Sequence, residues 1–245
     1  MATQTPLFTV QRSSERAFFD HGWLKTYHSF SFADYYDPAN VGWGALRVLN
    51  DDRLAPGAGF PTHPHNDMEI LTYVLAGELE HQDSMGNRGV VGSGGVQYMS
   101  AGTGVRHSEF NHSRTAELHF VQMWVLPSKA GSAPQYGQHD FSVEERSNRW
   151  LRVASGVVGT PAPIHLGQSA VFLVARLEAA AAVTHVFAPE RLGFLFVAAG
   201  DARANGIALN AGDAVRIASA EQLDVEGDAE LLLWDVPPAR TDAAT

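Results

Sequence analysis

Cysteine is absent from the 245-residue chain, so neither a disulfide framework nor a thiolate metal site is available, and the sequence suits a reducing cytoplasm. Positive charge is scarce: 17 Lys and Arg against 27 Asp and Glu give a formal charge of -10. Phosphate-binding surfaces need clustered Lys and Arg, and none occurs, which argues against nucleic acid as a partner and against adhesion to anionic membranes. Long apolar runs are missing too. Met1 to Asp20 lacks the core of a signal peptide, and the longest apolar stretch, Ser169 to Val183, is broken by Arg176 and Glu178 and is too short to span a bilayer as a helix. A soluble, cytoplasmic protein is expected. The length and a 45% hydrophobic content allow one large β domain or two small ones.

No long amphipathic helix is written in the chain; short apolar segments between turn residues dominate instead. Leu46 to Asn50 reads as a buried strand ending at an Asp51-Asp52 turn, and Glu69 to Leu75 as a strand stopped by Gly77. Glu78 to Asp83 alternates and meets a Met85-Gly86-Asn87 turn, as in a hairpin. Val96 to Met99 and Leu118 to Val125 are further strands, the latter ended by Pro127. Polarity rises from Pro127 to Leu151, with one helical turn expected at Glu144-Glu145-Arg146, and the domain linker is placed there. The expected division is 1–130 and 131–245.

Two groups of potential metal ligands stand out. His63-Pro64-His65 opens one stretch, and Gly102-Thr103-Gly104-Val105-Arg106-His107-Ser108-Glu109 closes it. Residues two apart on a strand share a face, about 7 Å apart, so each pair can offer both side chains to one cation. Three imidazoles and a carboxylate would make a nitrogen and oxygen site inside a β-barrel, with open positions on a metal that takes five or six ligands. The Gly102-Thr103-Gly104 turn reads as a tight bend. Asp67 and Glu69 are candidates to accept imidazole N–H bonds. His21, His28, His112, His119, His139, His165 and His185 read as surface or hydrogen-bonded core residues, and His81 stays open.

The second half repeats the first. Leu71 to Gly77 corresponds to Phe194 to Gly200, Gly94 to Ala101 to Ala211 to Ala218, and Ala116 to Phe120 to Ala229 to Leu233, with a Trp and then a Pro following in both copies. In this register His63 and His65 fall on Val186 and Ala188, and Ser219 to Val225 has no histidine. The second barrel is therefore expected to be metal-free.

A His-x-His followed by Gly-x-Gly-x-x-His resembles the signature of the cupins, double-stranded β-helix jelly rolls. The chain more closely resembles the pirin family, through His21-Gly22-Trp23-Leu24, Phe30-Ser31-Phe32-Ala33, Tyr35-Tyr36-Asp37-Pro38, Leu46-Arg47-Val48, His63-Pro64-His65, Glu69 to Gly77, Glu80-His81-Gln82-Asp83-Ser84 and Ser100 to Glu109. The likeness is dense in the first half and diffuse afterwards. It implies an all-β bicupin, with a metal-binding N-terminal barrel and a degenerate C-terminal one. It also implies the ligands His63, His65, His107 and Glu109. Many other cupins take the carboxylate from the first motif, where this chain offers Glu69; Glu109 is preferred because it shares a strand face with His107 and matches the pirin pattern.

The bacterial branch of the pirins is similar to quercetinases. The resemblance implies opening of the heterocyclic ring of quercetin by dioxygen with release of carbon monoxide at one divalent ion. A monomer is expected, since sheet edges in a two-cupin chain can pair within it, and Glu109 is expected to serve as general base as well as ligand. Fe(II) is favoured by resemblance, while Mn, Co, Ni, Cu and Zn suit the same donors. Phe60, Met68 and Phe110, near the ligands in sequence, are expected to line the mouth for a flat flavonol. The alternative is a metal-dependent co-regulator of the eukaryotic pirin type that binds other proteins without turnover.

Overall fold

A computed structural model describes residues 7–239, and within them the short apolar segments become strands. In chain order these are β1 (Phe8–Gln11), β2 (Ala17–Asp20), β3 (Leu24–His28), β4 (Leu46–Leu54), β5 (Gly59–His65), β6 (Glu69–Ala76), β7 (Glu78–Asp83), β8 (Arg88–Gly92), β9 (Val96–Ser100), β10 (Val105–Asn111), β11 (Leu118–Val125) and β12 (Gln135–His139). The second half adds β13 (Leu151–Ser155), β14 (Ile164–His165), β15 (Val171–Val186), β16 (Leu192–Ala204), β17 (Ile207–Asn210), β18 (Ala214–Ala218) and β19 (Gln222–Val236). The expected helical turn is α1 (Val143–Arg146), capped at Ser142, whose side chain accepts from Glu145 N. No described helix is long and apolar enough to cross a membrane.

The first barrel is built from a seven-stranded sheet, β12-β9-β6-β11-β4-β3-β2, and a four-stranded one, β5-β10-β7-β8. The second is built from β1-β18-β16-β19-β15-β13-β14, with β17 on β16. Each barrel takes an edge strand from beyond its own stretch of sequence. β1 pairs with β18 of the second, and β12, from the polar segment after Pro127, pairs with β9 of the first.

Strand alternation decides what each face does. In β15, Phe172 and Val174 turn towards the first barrel, while Val171, Leu173, Ala175 and Leu177 fill the second. In β6, Leu71 and Tyr73 turn outward into the shared core and Val74 turns inward. That shared core, with Trp234, Phe172, Phe194, Phe30 and Tyr73, cements the two barrels, each large apolar side chain contributing about 1.5–3 kcal/mol. Polar clasps reinforce it. Arg146 reaches Glu230 at 2.6 Å, and Glu230 also accepts from the Tyr73 hydroxyl. Glu69 accepts from the backbone N–H groups of Gly167 and Gln168 at 2.6 and 3.1 Å.

Two expectations from sequence need correction. The Asp51-Asp52 pair is no turn: β4 runs on to Leu54, because Asp51 is bonded by His119 and Arg16 and Asp52 turns into a polar interior. The repeat is also offset. Aligning Leu71 to Gly77 with Phe194 to Gly200 sets Thr72 on Leu195, and strand pairing then sets Gln97 on Val215 and Gln122 on Leu233. The second block thus slips by one residue and the third by two. Trp234 corresponds to Met123, which its indole N–H meets at 3.1 Å, and not to Trp124.

Candidate metal centre

β5 contains Pro61 and Pro64, which it tolerates as the edge of its sheet. It pairs with β10 so that His63 faces His107 and His65 faces Val105. The three imidazoles converge: ring centres lie 4.4 Å apart for His63 and His107, 4.8 Å for His63 and His65, and 4.9 Å for His65 and His107. Their candidate donor atoms lie within 4.8 Å of one another. A shift in the pairing between His107 and Glu109 marks a bulge against β5. Glu109 falls in a second, overlapping cluster with His81 and His107, also within 4.8 Å, and not in the first with His63 and His65. Gly102 tightens the bend before β10. Its φ is +46°, and a Cβ there would lie 2.0 Å from the Ser132 carbonyl oxygen.

The protonation states favour cation binding. Burial, with neighbouring imidazoles next, lowers the pKa of His65 to about 4 and of His107 to about 3, so both are neutral and keep a lone pair at neutral pH. The Nδ1 of His63 lies 2.8 Å from the Pro61 carbonyl oxygen, a bond that as a donor leaves Nε2 free. His107 is buried, yet neither ring nitrogen has a hydrogen-bond partner among the described residues. An unpaired buried imidazole costs roughly 1–3 kcal/mol, and a metal ion relieves that cost, so the donors present fit a divalent cation.

Around them runs a row of polar side chains in register across five strands: His28 on β3, Asn50 on β4, Gln122 on β11, Thr72 on β6 and Gln97 on β9. Gln97 and Gln122 donate to the two oxygens of Glu109 at 2.7 and 2.8 Å. The Trp124 indole N–H bonds the other end of the Gln122 amide, which fixes its orientation. His81 bonds Asp83 and stacks on Tyr136 of β12 at 4.3 Å. Burial alone would raise the pKa of Asp83, but hydrogen bonds from Asn87, His81 and Met85 hold it below the usual carboxylate range.

A cavity of about 430 Å³ opens beside the histidines. Phe32, Phe60, Trp124 and Leu24 supply its apolar lining, and Thr26, His28, Asn50 and Asp52 its polar side. Burial lowers the pKa of His28 to about 4 and raises that of Asp52 to about 7, where Asp51 and Glu109 add to the rise and Thr26 and Arg16 oppose it.

Phe60 lines this cavity as expected, but Met68 packs against the Ile70 and Met99 cluster, and Phe110 lines a separate outer hollow with His112 and Arg114. Strand alternation turns Phe110 away, since it is one residue on from the inward Glu109. Neither Asp67 nor Glu69 meets an imidazole. Asp67 accepts from Gly131 N at 2.6 Å, and Glu69 from the Tyr98 hydroxyl and the second barrel's backbone. His28 and His21 line the cavity instead of standing apart from it. Sequence reading missed Gln97, Gln122, Asn50 and Asp52; the available signal was a polar residue recurring at inward strand positions.

The pirin family model matches residues 9–125, and the model described as "Quercetinase C-terminal cupin domain" matches 153–236. A pirin-like protein of Caulobacter vibrioides is 45% identical over 88% of this chain and 94% of its own length. The quercetin 2,3-dioxygenase of Escherichia coli is 42% identical over 94% of this chain and 98% of its own. The crystal structure of the bacterial pirin YhhW from Escherichia coli in complex with nickel(II) superimposes with a TM-score of 0.88 at 40% identity, covering 95% of this chain and all of that one. With both barrels matched and this identity held across nearly its whole length, the chain belongs to the pirin family as a two-cupin, all-β protein.

Proposed function

We propose that the chain is a metal-dependent dioxygenase that opens the heterocyclic ring of quercetin-like flavonols with dioxygen and releases carbon monoxide. The observation that carries this reading is the convergence of three imidazoles, two of which, His63 and His65, line an aromatic-walled cavity that is large enough for a flat ligand. The 42% identity to a quercetin 2,3-dioxygenase supports it. We assign His63, His65, His107 and Glu109 as the ligands of one divalent ion, Fe(II) by resemblance, and the reducing cytoplasm as the compartment that keeps it divalent. Such an ion would supply Lewis acidity towards a flavonol oxygen and a partner for dioxygen.

The chain's own groups do the rest. Phe32, Phe60 and Trp124 hold the flat rings and exclude water. Glu109 accepts the proton of the 3-hydroxyl. Each of its oxygens already takes one amide hydrogen bond, and each keeps a lone pair for a second partner. Gln97 and Gln122 stop the carboxylate from rotating as its charge changes. Metal-loaded protein mixed with quercetin should consume oxygen and release carbon monoxide; no turnover with any divalent metal contradicts the reading and favours a binding module. Glu109→Gln should retain part of the metal and lose turnover by about a hundred-fold or more, whereas unchanged turnover removes Glu109 as the base.

A further inference from the structure

One wall of the cavity carries four polar side chains for which neither the metal centre nor the proton transfer has a use. β3 and β4 pair so that Thr26 faces Asp52 and His28 faces Asn50. Residues two apart share a strand face, so the four mark a rectangle of about 5 Å across the strands by about 7 Å along them. All are nearly fully buried, at 2–4% exposure. Yet His28 Nδ1 and Asn50 Oδ1 have no hydrogen-bond partner among the described residues, the Thr26 hydroxyl and the Asp52 carboxyl have only each other, and all four residues line the cavity that His63, His65 and Glu109 also line. Packing does not call for them: strand pairing sets Asn50 and Asp52 on Leu173 and Ala175 of the second barrel, where the same positions are apolar core.

The chemistry of the wall defines its ligand. The Asn50 oxygen accepts hydrogen bonds, while the Thr26 hydroxyl, the His28 ring and the Asp52 carboxyl, part-protonated at neutral pH, can take either role. A ligand that satisfies them presents O–H groups. Between the wall and the histidines stand Phe32 and Trp124, edge to face at 5.3 Å, with Trp124 against His65 at 4.9 Å. The part of the ligand that reaches the wall is therefore aromatic and hydroxylated. We propose that Thr26, His28, Asn50 and Asp52 bind the hydroxyl groups of the flavonol's pendant ring, so that this wall selects polyhydroxylated substrates. The inference rests on the flavonol reading above.

The test is anaerobic titration of metal-loaded protein, followed by tryptophan fluorescence, with quercetin and with the flavonol whose pendant ring is unsubstituted. Wild type should bind quercetin at least about ten-fold more tightly. Thr26→Val, which keeps the shape, should cut that ratio several-fold. Asn50→Leu, which installs the second barrel's residue, should bring it within about two-fold while metal content is retained. Equal affinities in wild type, or an undiminished ratio in both variants, overturns the assignment of the wall and leaves the oxygenase reading standing. A preference that disappears in the variants, together with no turnover in air, upholds the wall as a hydroxyl-reading site and overturns only the oxygenase reading.

Discussion

The two barrels share one ladder and fill it with opposite chemistry. In the first, the inward row reads Asn50, Gln122, Thr72, Gln97; the same pairing in the second reads Leu173, Leu233, Leu195, Val215, all in one apolar core. The first barrel's inward apolar cluster is smaller, with Leu24, Leu54, Val74, Leu79, Val91, Leu118 and Phe120. A closed apolar interior stabilises through burial, whereas a polar interior forgoes that gain and holds Glu109 and the histidines in place. The fold was kept in both copies. What differs is which side chains face inward.

The sharpest break in that comparison is His107→Ala, which should abolish metal binding measured on the purified protein. His185→Ala, on the second barrel and bonded to Asp235, should leave binding intact. Next in size is a polar residue placed in the apolar row. Leu233→Gln should destabilise by about 3–5 kcal/mol in denaturant unfolding, because it buries an amide among leucines. The reciprocal change, Gln122→Leu, should destabilise less, by about 1–2 kcal/mol for the bonds that Glu109 and Trp124 lose, but weaken metal affinity by about ten- to a hundred-fold, since Glu109 loses a bond that orients it.

The smallest effect is a pH dependence. Asp52 has a folded pKa of about 7 against 3.8 for the ordinary group, so the folded state binds the extra proton between those values. Its ionisation therefore opposes folding as pH rises through that window, and the full cost is present above about 7. Asp52→Asn removes the cost. The variant's gain in stability over wild type should be larger at pH 8 than at pH 5, by on the order of 1–2 kcal/mol, as read by thermal unfolding; an equal gain at both pH values would contradict the assignment.

Much of the candidate site was legible because potential metal donors on strands declare themselves by i,i+2 spacing, as His63 with His65 and His107 with Glu109 do; the structure gathers the three histidines and sets Glu109 in an overlapping cluster with His81. The hairpin at Met85-Gly86-Asn87 and the one-turn helix were legible from turn and capping residues. Partners in space were not. Asp51-Asp52 has the composition of a turn, and only the His119 and Arg16 contacts of Asp51 explain why the strand continues. Glu69 looked like a metal-shell carboxylate, but its partners are backbone groups about a hundred residues later. The repeat slipped because apolar runs in adjacent strands resemble one another at several offsets, and hydrogen-bond pairing alone fixes the register.

The central claim is a single ion per chain, held by the first barrel. Calorimetric titration of metal-free protein with nickel(II) tests it most directly, on wild type beside a variant carrying His63→Ala and His65→Ala. The account predicts one ion per chain in the first and no saturable binding in the second. Two ions per wild-type chain, or an undiminished site in the variant, would contradict it.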